Sequence, residues 1–163
     1  MSTAAESLVL TDAQALAAAR LRLLGAARRR LAVRMPALPP TVLAADAELA
    51  ELRRIATAGR GAHIRLLVHD AEAMLREGHR LLTLVQRLPS LIEVRVPVDE
   101  TELACPSAYL LADTGGWLFQ PLAERPQGRA GFGDPAAQAP YLRQFEAGWQ
   151  RARPAGVLRA LDL

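Results

Sequence analysis

The chain contains neither lysine nor asparagine, and aromatic residues make up only 4% of it. All 20 of its basic residues are therefore arginines, so no reaction step can use a lysine amine. Arginine presents a planar guanidinium that suits phosphate and carboxylate groups. Because Lys and Asn share A-rich codons, a GC-rich bacterial genome is the simplest source of both absences.

A single cysteine, Cys105, excludes an internal disulfide framework and is typical of the reducing cytoplasm. It has no basic or histidine neighbour in sequence to lower its pKa, so we expect an inert thiol. No apolar run approaches the ~18 residues that span a bilayer, and Glu6 and Asp12 interrupt any signal-peptide pattern. We expect a cytoplasmic protein with no membrane span.

Hydrophobic residues make up 51% of the 163 residues, which is enough for the core of one domain. Apolar periodicity predicts a helix over residues 12–28. We therefore divide the chain into an N-terminal helical segment, residues 1–28, which is expected to pack on the rest, and an α/β domain, residues 29–163. Within the α/β domain, strands alternate with helices up to a late apolar hairpin. This order predicts helices on both faces of a mixed, mainly parallel sheet.

Three stretches in this order resemble one half of a phospholipase D-like fold. They are a helix, a glycine turn and a strand ending in Asp (ELRRIATAGRGAHIRLLVHD), the strand PSAYLLAD, and a closing helix with aromatic spacing (YLRQFEAGWQRA). The chain also resembles a group of uncharacterised bacterial domains of this type. The resemblance implies a phospholipase D-like sandwich, and single-copy members of that family generally form homodimers.

The family cleaves phosphodiesters with a His-x-Lys-x4-Asp motif, which PSAYLLAD matches in length only. Two registers place residues at the motif's His, Lys and Asp positions: Pro106, Ala108 and Asp113, or, one residue later, Ser107, Tyr109 and Thr114. Neither register supplies the imidazole that attacks phosphorus or the lysine that holds the developing charge. We therefore expect a degenerate site with no catalytic residue and no phosphodiesterase activity.

Five residues are expected to contact a ligand. Ser107, Tyr109 and Asp113 lie in the degenerate motif, and His79 and Arg80 lie near a predicted helix start. Core packing for Tyr109, turn capping for Asp113 and a surface position for His79 are the competing structural roles. The three scattered histidines and one cysteine do not have metal-ligand spacing, so no metal or other cofactor is expected.

These features favour a non-catalytic binding or assembly module for an anionic ligand. One alternative is a hydrolase or transferase whose rebuilt site uses Ser107 or a histidine, and a histidine hydrogen-bonded to a hydroxyl would favour it. A second alternative is weak, non-specific nucleic-acid binding through the six arginines between residues 20 and 34, where no acid intervenes. The apolar hairpin around residues 104–122 further suggests a symmetric homodimer, unless helices cover both of its faces.

Overall fold

The computed structural model describes residues 6–158, which form one eight-stranded sheet covered by helices. Residues 1–5, at the start of the predicted N-terminal segment, and residues 159–163, at the end of the predicted α/β domain, lie outside this range. The strands are β1 (Glu6–Leu10), β2 (Arg30–Met35), β3 (His63–Val68), β4 (Ile92–Val96), β5 (Ala108–Ala112), β6 (Trp117–Gln120), β7 (Gly128–Phe132) and β8 (Arg153–Pro154). The helices are α1 (Ala13–Ala26), α2 (Asp46–Ala56), α3 (Glu72–Arg76), α4 (Leu81–Arg87), α5 (Glu100–Leu103) and α6 (Pro135–Arg151), followed by a 3-10 turn at Gly156–Leu158.

The strand order across the sheet is β1-β7-β6-β5-β2-β3-β4-β8. Strands β2, β3 and β4 run parallel, while the other five pairings are antiparallel. The predicted mixed α/β fold and late hairpin are confirmed, but the expectation of a mainly parallel sheet is wrong. The antiparallel pairings come from the hairpin β5–β6, from its contact with β2, and from the added strands β1, β7 and β8.

The two faces of the sheet carry separate apolar cores, so the prediction of helices on both faces is confirmed. On one face, α1, α2, α3 and α4 pack residues such as Leu23, Ile55 and Met74 against the sheet. On the other, Phe145 and Trp149 of α6 cover an aromatic cluster on the antiparallel strands. The hairpin β5–β6 is therefore buried within a single chain.

Local sequence signals explain the helix boundaries. The Asp12 carboxylate accepts a hydrogen bond from the Ala15 amide, which caps α1. Asp134 caps α6 in the same way, and Pro135 occupies its first turn, where a missing amide costs nothing. As a result α6 begins six residues earlier than residue 141, where the sequence places it. Gly78, with a φ of +60°, lies between α3 and α4 and separates the two helices.

Within residues 6–158, no helix combines the length and the apolar character that crossing a bilayer requires.

Candidate functional site at the start of strand β5

The first residues of β5 lie beside the carboxyl ends of β2 and β3. Arg34 of β2 pairs in register with Tyr109 of β5, and His69 follows directly after β3. Open α/β sheets bind ligands at the carboxyl ends of their parallel strands. This edge of the sheet is therefore the place where functional side chains are expected to meet.

The two registers of the degenerate motif lie on opposite faces of the sheet. Tyr109 belongs to the aromatic cluster under α6. Ala108 belongs to the core under α1 and α2. Because side chains alternate along a strand, each register corresponds to a physically separate candidate site.

On the α6 face, a buried guanidinium organises the first site. We call it the Arg34 cluster, and its members are Arg34, His69, Glu102, Cys105 and Ser107. The Nη1 atom of Arg34 lies 3.2 Å from the Cys105 sulfur and 3.3 Å from the Ser107 hydroxyl. Its Nη2 atom donates to the Glu102 carbonyl at 3.1 Å and lies 3.4 Å from Nε2 of His69. Only 1% of the Arg34 side chain is exposed, whereas the cysteine, serine and histidine reach the surface in part.

Glu102 supplies the countercharge for Arg34. Its carboxylate lies 3.4 Å from Nη2, and the outer Arg151 guanidinium lies 3.9 Å from its other oxygen. Gly148 of α6 makes room for this carboxylate, because a Cβ atom at that position would lie 3.0 Å from Oε1. A buried guanidinium without such a partner would be strongly destabilising, so the ion pair is a condition for placing Arg34 here.

The cluster changes the surroundings of Cys105, and the expectation that no neighbour lowers its pKa is wrong. Burial alone would raise the pKa of the thiol, but hydrogen bonds from the Ser107 hydroxyl and amide, together with the Arg34 guanidinium, outweigh it and lower the pKa. The Cys105 sulfur also lies 3.3 Å from the Ser107 hydroxyl. The pKa of the thiol is lowered by Arg34, which comes from β2, and by Ser107. The contact with Arg34 depends on the fold and is not visible in the sequence around Cys105.

The surroundings of His69 favour the neutral imidazole. Burial and the positive charge of Arg34 lower its pKa, and the Leu103 backbone only partly opposes this. Since Arg34 can only donate, Nε2 of His69 accepts and the ring hydrogen sits on Nδ1. The Ser107 hydroxyl bonds to Arg34 and Cys105, and no hydrogen bond joins it to His69. The arrangement that would have favoured a serine hydrolase is therefore missing from the described residues.

Tyr109 forms the floor beneath the cluster. Its side chain is fully buried, and its ring lies 5.8 Å from that of Tyr141 and 6.5 Å from that of Phe145. Burial raises the pKa of its phenol, so the group stays protonated. No described group hydrogen-bonds the buried hydroxyl, and Nε of Arg34 and Oε2 of Glu102 are likewise without hydrogen-bond partners. Two buried polar atoms of the Arg34 cluster and the Tyr109 hydroxyl beneath it thus retain unused hydrogen-bonding capacity.

On the opposite face, Ala108 lines a cavity of about 380 Å³, which we call the Ala108 cavity. Its walls come from α1, the loop after β2 and the segment after β6, and the polar lining includes Arg20, Gln120 and Arg125. Gln120 is the register partner of Ala108, and its amide donates to the Arg125 carbonyl at 3.1 Å. Arg20 is already paired with Glu48 at 2.5 Å, so Arg125 carries the accessible positive charge of the lining, and the neighbouring Glu124 carries a negative one.

Asp113 lies at the other end of β5 and is bonded to the backbone. Its carboxylate accepts hydrogen bonds from the amides of Arg28, Arg29 and Arg30, at 2.8, 2.9 and 3.3 Å. The neighbouring Thr114 hydroxyl donates to the Ala26 carbonyl at 3.1 Å. Both motif registers thus end in a side chain that fastens the hairpin turn to the α1–β2 connection.

His79 and Arg80 are distant from the Arg34 cluster and brace the loop after β2. Nε2 of His79 bonds to the carbonyls of Pro39 and Val42 at 3.0 and 2.9 Å, and the ring is buried. Arg80 donates to the Ala44 carbonyl and pairs with Asp46. Pro39 and Val42 form part of the wall of the Ala108 cavity, so the hydrogen bonds of His79 hold a part of that wall in place. Of the five predicted ligand contacts, the structure groups only Ser107 and Tyr109.

The arginines between residues 20 and 34 do not form one stripe. Arg20, Arg22 and Arg34 each pair with a glutamate. The exposed remainder gathers at the edge opposite the Arg34 cluster, where Arg29 and Arg30 donate to the carbonyls of residues 60 and 61. We call this exposed group the basic patch: Arg28, Arg29, Arg30 and Arg60.

Solved structures share this fold at low sequence identity. Nuc from Salmonella typhimurium, a phospholipase D family member, is 10% identical with a TM-score of 0.63, over 96% of this chain and 99% of its own. NucT from Helicobacter pylori is 10% identical with a TM-score of 0.59, over 92% and 98%. TrmBL2, an archaeal chromatin protein with a novel mode of DNA binding, is 12% identical with a TM-score of 0.64; the match covers 90% of this chain but only 53% of TrmBL2.

These likenesses define a phospholipase D-like fold. Residues 12–161 match the family described as a domain of unknown function, DUF7931, and the chain belongs to that family. No curated protein matches the sequence.

Proposed function

We propose that this domain is a single, degenerate phospholipase D-like copy that binds a small anionic ligand without cleaving it. The observation that carries the proposal is the composition of β5. At the start of β5, neither face of the strand carries an imidazole or an ammonium group of its own. One face presents Ala108, and the other presents Ser107 above the buried Tyr109.

The chemistry of the intact family motif has no counterpart on either face. A nucleophile must be activated by a base, and cations must contact the transferring phosphoryl group. The Ser107 hydroxyl lacks a base, and the Arg34 guanidinium is buried and already neutralised by Glu102. The exposed Arg151 guanidinium at the surface of the cluster lies 3.9 Å from the Glu102 carboxylate, so it too faces a countercharge.

The Ala108 cavity supports the binding role. Its volume of about 380 Å³ falls within the range of small-molecule sites. At this position of the strand, Ala108 presents only a methyl group to the cavity. The exposed Arg125 guanidinium lies at the rim beside the exposed Glu124 carboxylate, and the Gln120 amide contributes a polar group to the lining. A small phosphate or carboxylate compound matches this lining.

Bis(p-nitrophenyl) phosphate tests both parts of the proposal. Calorimetry measures its binding, and the colour of released nitrophenol measures its cleavage. We expect weak binding and no release of nitrophenol. Ala108→Leu fills the cavity and Arg125→Gln removes its charge, so each is expected to reduce binding at least fivefold. Ala147→Leu, on the exposed side of α6, is the matched control and should bind like the parent chain. Nitrophenol release that is lost in Ser107→Ala, or binding unchanged by both cavity variants, would overturn the proposal.

A second candidate function, weak nucleic-acid binding, is favoured by the basic patch. Four exposed arginines lie at one edge of the sheet, and the scarcity of aromatic residues leaves phosphate contacts as the main source of affinity. Such binding is expected to be independent of sequence and to weaken steeply with salt, with a log–log slope of about −0.9 for each phosphate contacted.

The patch is tested by fluorescence anisotropy with a labelled DNA duplex over a salt series. Replacing Arg28, Arg29 and Arg60 with Gln should flatten the salt slope by about 2 to 3. The control replaces three exposed arginines elsewhere, Arg87, Arg125 and Arg143, with Gln. Equal losses in both triple variants, or a complex that survives high salt, would exclude the patch as the binding surface.

A further inference from the structure

The Arg34 cluster contains a thiol that the proposed function does not use. Cys105 is partly exposed, accepts a hydrogen bond from Nη1 of Arg34 and lies beside the Ser107 hydroxyl. Thiols in such electropositive, accessible surroundings are the reactive ones. The guanidinium cannot move away from the sulfur easily, because Glu102 binds it through both its carbonyl and its carboxylate.

A second observation, independent of the thiol, points to an added group at this place. The Tyr109 hydroxyl is fully buried and has no hydrogen-bond partner among the described residues. Tyr109 is the register partner of Arg34, whose guanidinium carbon lies 5.8 Å from the centre of the Tyr109 ring. Ser107, two residues earlier on the same face of the strand, bonds to the same guanidinium. A buried hydroxyl without a hydrogen-bond partner is destabilising. An oxygen atom added to the sulfur would offer this hydroxyl an acceptor.

We propose that Cys105 is a modification site at which a hydroperoxide oxidises the thiolate to a sulfenic acid, which a low-molecular-weight thiol then converts to a mixed disulfide. In the first step the sulfur attacks the terminal oxygen of the hydroperoxide. The S–O bond forms, the O–O bond breaks, and the leaving alkoxide or hydroxide takes a proton from water. Sulfur loses two electrons and the peroxide gains them.

In the second step the incoming thiolate attacks the sulfenic sulfur. The S–S bond forms, and the hydroxyl leaves as water after taking a proton. The chain contains no other cysteine, so an external thiol must resolve the sulfenic acid. Arg34 and Ser107 stabilise the thiolate before the reaction, and Tyr109 is a positioning residue for the oxygen of the product.

Because Cys105 is the only cysteine, every thiol measurement on the full chain reports this residue. The first experiment compares the rate of thiol loss in dilute hydrogen peroxide at pH 7 between the folded chain and the same chain unfolded in urea. Each tenfold gain in thiolate fraction raises net reactivity only about threefold, since nucleophilicity falls with the pKa. We expect the folded chain to react at least threefold faster. A folded rate equal to or below the unfolded rate would overturn the proposal.

The second experiment traps the product with a 1,3-dicarbonyl probe and reads the adduct by intact mass. Tyr109→Phe keeps the ring and removes only the hydroxyl, so the fold should be retained. We expect this variant to react with iodoacetamide at the parent rate and to lose its sulfenic acid at least threefold faster. Tyr141→Phe, which alters the neighbouring ring in the same cluster, is the matched control and should resemble the parent. A sulfenic acid lifetime unchanged by Tyr109→Phe, or no trapped adduct in the parent chain, would count against the proposal.

Both experiments are independent of ligand binding in the Ala108 cavity, which lies on the opposite face of the sheet. A chain that binds no phosphodiester can still show the reactive thiol, and the reverse also holds.

Discussion

Gly148 of α6 faces the carboxylate of Glu102 so closely that a Cβ atom would lie 3.0 Å from Oε1. Replacing an open helical glycine by alanine stabilises a helix by up to about 1 kcal/mol. Gly148→Ala is expected to show none of this gain, because the methyl group pushes Glu102 away from Arg34. Gly25→Ala in α1 has no heavy atom within 4 Å of its new methyl group and should show the gain in full. Urea denaturation of the two variants checks the difference, and an equal gain in both would contradict it.

Arg34→Met is expected to destabilise the fold by about 3–5 kcal/mol, because it leaves the Glu102 carboxylate buried without its partner. The double variant Arg34→Met/Glu102→Gln removes both charges and should recover part of the loss. Chemical denaturation of both single variants and the double variant gives the coupling energy. Additive losses would show that the two side chains do not stabilise each other.

The pKa of His69 is lowered in the folded chain, so folding favours the neutral ring. The unfolded chain, with an ordinary histidine pKa near 6.5, binds the proton more readily. Stability should therefore fall as the pH drops through about 6.5 and level off below the folded pKa. His69→Gln should remove this part of the dependence, and His63→Gln, at the opposite end of β3, is the control. Identical pH profiles for the parent and His69→Gln would contradict the prediction.

Asp113→Ala is expected to cost about 1–2 kcal/mol in unfolding free energy, because three backbone amides lose their shared acceptor. Asp46→Ala removes an exposed carboxylate that pairs only with Arg80 and should cost less than about 1 kcal/mol. Thermal and urea unfolding compare the two. Equal small losses would mean that the hairpin turn is held by other contacts.

We also predict a homodimer, although the reason offered by the apolar hairpin no longer applies, since helices cover it. Three other apolar side chains, Val98, Leu103 and Leu122, are 42–54% exposed at the same edge as the Arg34 cluster. Light scattering at micromolar concentration should give twice the chain mass of 17.6 kDa. Leu122→Glu should shift the protein to a monomer, and Leu21→Glu on α1 should not. A monomer mass for the parent chain would exclude the dimer.

The central strands could be predicted from the sequence, because β2 and β3 are buried on both faces and are therefore apolar along most of their length. Strand β7 was missed for a physical reason. Gly131 lies against the Trp117 indole, which a Cβ atom would overlap, so the strand needs a residue that is rare in strands. The edge strand β8 has only two residues, too few for any pattern to be visible.

The candidate site was less predictable than the fold. Arg34, His69 and Cys105 are separated by up to 71 residues in sequence, and only the pairing of β2 with β3 and β5 brings them together. Parity along the strand predicts that Tyr109 and Asp113 share a face, but β5 ends at Ala112 and the two side chains have separate surroundings. No local pattern could indicate that a guanidinium from another strand would lie beneath the thiol, or that the Asp113 carboxylate would be occupied by backbone amides.

The pairing of β2 with β5 has a consequence for the speed of folding. It joins the parallel strands to the antiparallel ones, and Asp113 fastens the same junction to an amide 85 residues away. The hairpins β5–β6 and β6–β7 can form from near neighbours, but this seam must close a long loop before it gains any contact energy. We expect the seam to form late, so that the Arg34 cluster, which straddles it, is among the last parts of the molecule to assemble. The reactivity of Cys105 would then report the completion of folding in real time.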